Sequence, residues 1–256
     1  MLGVTLDAAN GNVGIVMVTG GTQTRIGSHR MYERLAGALA AAGYSCLRFD
    51  RRGVGDSEGE DPGWRGSGPD IKAAAADLKG SSRSIERVIG IGLCDGASAL
   101  ALHGAAAGLH GLILINPWLV ETEADAPAPA AVRDHYRKRL TSLEGWKKLL
   151  GGAVSYRKLL KGVGSLFSAP PSDLAHEVAD AIERDSMPVA LILCAGDATA
   201  IAAGDVWASK RFEAIRKASA PPLRVESDSH TFARPGDQEA LEQACLTALA
   251  TLSRRG

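Results

Sequence analysis

Short and almost uninterrupted apolar runs recur along the chain, each followed by glycine or another turn former. Val13 to Val18 precedes Gly20 and Gly21; Tyr44 to Phe49 precedes Asp50 and Gly53; Val88 to Leu93 precedes Gly96. Leu112 to Ile115, Val189 to Leu193 and Leu223 to Val225 continue the series, ahead of Asn116, Gly196 and Asp228. Strands buried on both faces read this way, whereas half-exposed hairpin strands alternate, so the pattern predicts interior parallel strands. Helical periodicity fills the gaps. Met31, Leu35 and Leu39 repeat every four residues behind Ser28, a candidate cap, and Gly43 closes the segment. Asp70 stands before a second, alanine-rich run anchored by Ile71 and Leu78. Strand-helix alternation of this kind predicts an α/β fold, one mostly parallel and doubly wound sheet.

Between 120 and 185 the alternation stops. Residues 1–119 and 186–256 therefore read as two parts of one core, and 120–185 as an inserted helical cap opened by the Ala/Pro-rich stretch Asp125 to Ala131. Tyr136, Leu140, Leu143, Trp146 and Leu150 fall at helical intervals within it. Charge changes the picture here: the whole chain balances 29 basic against 29 acidic residues, yet Arg133 to Lys161 holds nine Lys/Arg and only two acids. That basic cap reads either as solvated helix faces or as a surface for an anionic substrate, a membrane or a partner.

At 256 residues and 45% hydrophobic, the chain can bury one sizeable core, which excludes disorder, a fibre or an arm that coats nucleic acid. No stretch reaches the roughly 18 uncharged apolar residues of a membrane span, and the first residues lack a secretory pattern. Cys46, Cys94, Cys194 and Cys245 show neither the crowding of a disulfide scaffold nor metal-ligand spacing. A soluble cytoplasmic protein with no cofactor and no metal is expected.

Cys94 stands apart from the other three. In Gly92-Leu93-Cys94-Asp95-Gly96 an apolar strand runs into a cysteine with glycine two residues to either side, and small residues, Ala97 and Ser98, open the following helix. This is the spacing of a nucleophile elbow, in which the reactive side chain sits on a strained strand-to-helix turn and flanking side chains would collide with neighbouring backbone. Gly90, Gly92 and Gly96 also form a degenerate dinucleotide fingerprint. Against that, the next strand ends in Asn116, with no acid to hold a ribose. The Asp95 amide, at the start of the helix, would face an oxyanion, and the helix terminus favours a thiolate.

Asp197 follows one later strand and His230 another, so nucleophile, acid and histidine occur in the chain order of an α/β-hydrolase triad, with Asp205 and Asp228 as rival orienting acids. The second oxyanion donor is expected from the first strand-to-helix loop, at the amide of Gly21 or Thr22. Arg25, His29 and Arg30 follow in that loop, to engage a carboxylate or phosphate or to face solvent. Trp118, Trp146 and Phe167 are candidate pocket walls or packing residues.

The succession GGTQTRIGSHR, LRFDRRGVGDSEG, GLCDGAS, LINPW, GDATA and DSHTF resembles the exosortase A system-associated hydrolase 1 family, a branch of the alpha/beta hydrolases, over nearly the whole chain. The resemblance implies Cys94 as nucleophile, Asp197 as acid and His230 as base, and a link to exopolysaccharide production and exosortase-sorted surface proteins. In FDRRGVGDS, Asp50 and Arg52 are expected to tie down a turn that Gly53 and Gly55 permit. The function expected is hydrolysis of an ester, thioester or related acyl bond on a small-molecule, lipid-linked or saccharide-linked substrate, through an acyl-cysteine. An acyltransferase with the same triad, and a non-catalytic binding module that presents its basic cap, are the alternatives.

Overall fold

Every predicted apolar run is a strand in the computed structural model, which describes residues 1–121 and 172–253. The strands are β1 (Val4–Asp7), β2 (Val13–Val18), β3 (Ser45–Phe49), β4 (Arg87–Leu93), β5 (Gly111–Ile115), β6 (Val189–Cys194) and β7 (Leu223–Val225). Among the described residues they form one seven-stranded sheet in the order β1-β3-β2-β4-β5-β6-β7, with β1 antiparallel and the other strands parallel. Burial follows the pattern that identified them: β3, β5 and β6 are buried at every position. The edge strands are the exceptions: β7 buries only Val225, and the unpredicted β1 alternates between exposed and half-buried.

Helices α1 (Met31–Ala41), α2 (Gly68–Ser81), α3 (Asp95–His103), α4 (Asp173–Arg184), α5 (Ala198–Ala208), α6 (Glu213–Ala218) and α7 (Asp237–Ser253) surround the sheet. α1 packs on α7, while α2 and α4 both pack on α3. α4 lies in the last part of the span expected to be inserted, and buries Leu174, Val178 and Ile182 in the main core against α3. The basic stretch 133–161, Trp146 and Phe167 lie outside the described residues.

Two expected helix starts are corrected. Ser28 lies in a 3-10 turn, Ser28–Arg30, and makes no cap, because left-handed His29 and Arg30 (φ 54° and 62°) separate it from α1. The Ile26 carbonyl instead accepts the Tyr32 and Glu33 amides at 3.1 and 3.3 Å, satisfying first-turn donors that would otherwise be orphaned. Asp70 sits inside α2, behind Ser67 at the cap position, and its buried carboxylate accepts from Arg52 Nε at 2.5 Å.

The turn after β3 is held as expected. Asp50 is fully buried, accepts the Arg25 and Asp56 amides, and pairs with the Arg25 guanidinium, while Gly53 and Gly55 take φ of 72° and 56°. Among the described residues no helix is long and apolar enough to cross a membrane. The parallel arrangement brings the C-terminal ends of β2, β4, β6 and β7 to one edge, where an open α/β sheet places its chemistry.

Candidate active site

Cys94 occupies the single-residue turn between β4 and α3, with φ 58° and ψ −126°. Few L-residues adopt such a conformation without cost, and it persists here because the surroundings leave no alternative. The Cys94 amide donates to the Ile115 carbonyl at 3.0 Å, tying the turn to β5. A methyl group added to Gly96 would stand 2.6 Å from the Val18 carbonyl oxygen and 2.7 Å from that of Thr19. One added to Gly92 would meet the Ala97 nitrogen and Gly96 carbonyl, each at 2.8 Å. Both flanking glycines are thus required by backbone that cannot move aside, the steric condition that the motif encodes.

His230, in the loop after β7, places Nδ1 at 3.0 Å from Asp197 Oδ2 and lines one cavity with Cys94. Asp197 is buried at the start of α5, where Oδ2 also accepts the Ala200 amide at 2.8 Å, so the carboxylate is held before it meets the histidine. The rival Asp228 pairs with Arg234 at 2.6 Å. Hydrogen bonding to Asp197 and then to Cys94 outweighs burial and pushes the His230 pKa up to about 10.

Gly21, at φ 57°, is fixed at both ends of its peptide groups: Arg51 Nη2 donates to its carbonyl at 2.8 Å, and its N–H donates to Asp95 Oδ1 at 2.7 Å. Asp61, at 3.0 Å from Arg51 Nε, holds the guanidinium in place. Cys94, His230, Asp95 and Gly21 share a cavity of about 440 Å³ whose walls include Trp64, Trp118 and Gln23. Trp118 is positioned by the elbow itself, for its amide donates to the Cys94 carbonyl at 3.1 Å and its carbonyl accepts from Ser98 Oγ at 2.5 Å.

Residues 15–243 match the model of the alpha/beta hydrolase family. The chain belongs to that family. Its fold, a mostly parallel sheet with flanking helices, is the alpha/beta hydrolase fold. A monoacylglycerol lipase from Paleococcus ferrophilus aligns with 99% of this chain and 99% of its own, at TM-score 0.59 and 18% identity. Est1E from Butyrivibrio proteoclasticus, with ferulic acid bound, aligns over 97% and 96% at TM-score 0.60 and 16% identity. An esterase from Pyrococcus furiosus aligns over 94% and 82% at TM-score 0.59 and 16% identity. No curated protein sequence matches the chain. Membership in the family, with these neighbours, supports a hydrolase.

The structure of this hydrolase brings Cys94, Asp197, His230, Gly21, Asp95 and Trp118 together and leaves three expected substrate contacts elsewhere. Arg25 pairs with Asp50 and Asp56, and Arg30 with Glu33. His29 lines a separate cavity of about 270 Å³ with Arg34 and Arg234. Thr22 is exposed beyond the lining of the Cys94 cavity. Cys46, Cys194 and Cys245 are buried, and burial pushes each thiol up, Cys194 to about 11. Sequence reading assigned no role to Arg51, Gln23 or Trp64; Arg51 had a signal, since it stands in the FDRRGVGDS turn, but its reach to Gly21 depends on the fold.

The histidine pair has a consequence for stability. Folded protein holds the His230 proton up to about pH 10, against about 6.5 for a free histidine, so its contribution is complete below the free value and fades as pH rises toward 10. The wild-type unfolding temperature should therefore fall more steeply than that of His230→Gln between those two values. Parallel profiles in a thermal unfolding series would rule out a proton held this tightly.

Proposed function

We propose that this hydrolase cleaves acyl esters or thioesters through a covalent Cys94 intermediate. The observation that carries the proposal is the cysteine held at φ 58° on the elbow, beside an imidazole whose far nitrogen is occupied by Asp197. The Cys94 thiolate attacks the acyl carbon, forming a C–S bond as the carbonyl electron pair moves to oxygen. The Asp95 amide, first in α3 and without an intrahelical acceptor, and the Gly21 amide would receive that oxyanion. Collapse breaks the bond to the leaving group, which takes a proton from His230. The imidazole, now neutral, removes a proton from water; the water oxygen adds to the thioester, and the acid leaves with Cys94 again a thiolate.

His230 begins this cycle protonated, as a raised pKa favours, and acts first as an acid and then as a base. An alcohol or amine in place of water would turn the same cycle into acyl transfer. Esterases and a lipase among the structural neighbours support ester chemistry, and the motif succession supports membership in the exosortase-associated branch, with a lipid-linked or saccharide-linked substrate in exopolysaccharide production. Incubation with aryl esters and thioesters of graded acyl length, followed by intact-protein and peptide mass measurement, should show one acyl group added, and added at Cys94. Turnover of any of these substrates without an adduct that can be trapped, together with retained turnover in Cys94→Ala, would remove the covalent mechanism.

A further inference from the structure

Resting on the acyl-cysteine reading, we infer that Asp95 selects the acyl group by charge, favouring substrates with a cation beside the scissile carbonyl. The Gly21 N–H, one of the two expected oxyanion donors, is engaged by the Asp95 carboxylate at 2.7 Å. The fold makes room for that contact: a methyl group on Gly20 would stand 2.7 Å from Asp95 Oδ1 and 3.2 Å from Cys94 Cβ. Glycine at 20 thus lets the Asp95 carboxylate sit beside Cys94 and occupy the N–H that the carbonyl oxygen of a bound acyl group would need. Arg51, itself held by Asp61, fixes the following peptide group through the Gly21 carbonyl, while Asp95 holds the Gly21 N–H.

Two anions compete for one donor. An incoming neutral ester has to displace the carboxylate and then develop an oxyanion next to it, a like-charge juxtaposition at close range. Among the described residues no Lys or Arg pairs with Asp95, and among the residues lining the cavity the other ionisable groups are Cys94 and His230, which face each other. A cation carried by the substrate would supply relief. An ammonium group on the carbon next to the carbonyl would draw the carboxylate off Gly21, freeing the N–H and neutralising the charge beside the oxyanion in one movement. A carboxylate in that position would add a third negative group and be rejected.

Three aryl esters of matched size, with ammonium, methyl or carboxylate on the carbon beside the carbonyl, test this, with rates corrected for spontaneous hydrolysis. Wild-type kcat/KM should fall by about tenfold from ammonium to methyl and again to carboxylate, as expected for a nearby unpaired charge. Asp95→Asn, which keeps an acceptor for Gly21 but no charge, should compress the whole series to within about threefold. Asp95→Ala, which leaves the donor free, should in addition hydrolyse the methyl ester faster than wild type. Alkylation of Cys94 by iodoacetamide, which needs no oxyanion donor, should rise far less than ester acylation in both variants. The same charge ranking in wild type and Asp95→Asn would overturn the inference while leaving acyl transfer intact. Failure of all three esters to acylate Cys94 that still reacts with iodoacetamide would overturn the acyl-cysteine reading, and this inference with it.

Discussion

A Cys94→Ala protein should unfold at the wild-type temperature and yet turn over ester substrate at least ~10³-fold more slowly, with no acyl adduct. The two halves of that result have separate causes. Cys94 is only half-buried, its side chain points into the cavity, and alanine tolerates the φ 58° turn as well as cysteine does, so little packing is lost. Removing the sulfur, by contrast, removes the atom to which the proposed mechanism bonds the acyl group. What remains is binding and the backbone donors, which account for the residual rate that such knockouts retain. Steady-state kinetics beside a thermal melt separates these terms. Undiminished turnover in the folded variant would mean that the reaction runs without this thiol.

Gly96→Ala should do the opposite, damaging the fold and the activity together. The added methyl would stand 2.6 and 2.7 Å from two carbonyl oxygens at the end of β2 and beyond it, and neither belongs to a side chain that could swing aside. Relief requires α3 to lift from the strand, which moves Cys94 with respect to His230. Overpacking in a site this rigid falls at the upper end of its usual range, about 3 kcal/mol. For a chain of this length that corresponds to roughly 6–12 °C in unfolding temperature. Differential scanning calorimetry reads the loss directly; an unchanged melt would show that the elbow is looser than its contacts imply.

Which parts of this arrangement were legible in the sequence depends on how local their causes are. The elbow was legible because its steric constraints fall at fixed offsets, two residues to either side of Cys94: Gly92 is the trace of contacts across the turn, and Gly96 of the close approach to the end of β2. Asp197 and His230 were legible because parallel strands place their following loops at one edge, so order along the chain becomes proximity in space. β1 was hidden because four residues with alternating exposure at a sheet edge carry too short a pattern to rise above the polar turns around them. The entry to α1 was misread for a related reason, since Ser28 has the right side chain, but the left-handed turn at His29 and Arg30 is a property of the folded loop. The double engagement of Gly21, by Arg51 through its carbonyl and by Asp95 through its amide, joins three distant segments and leaves no periodic trace.

Ser172 Oγ, just before α4, donates to the Leu119 carbonyl beyond β5 at 2.7 Å. The chain thus leaves the end of the sheet and rejoins α4 at nearly one point, beside the Trp118 backbone that the elbow itself holds. For a span whose ends are already joined, added or deleted length enters the stability of the core only logarithmically. Length added to or removed from such a span should therefore leave the sheet, and the placement of Cys94, Asp197 and His230 on it, in register.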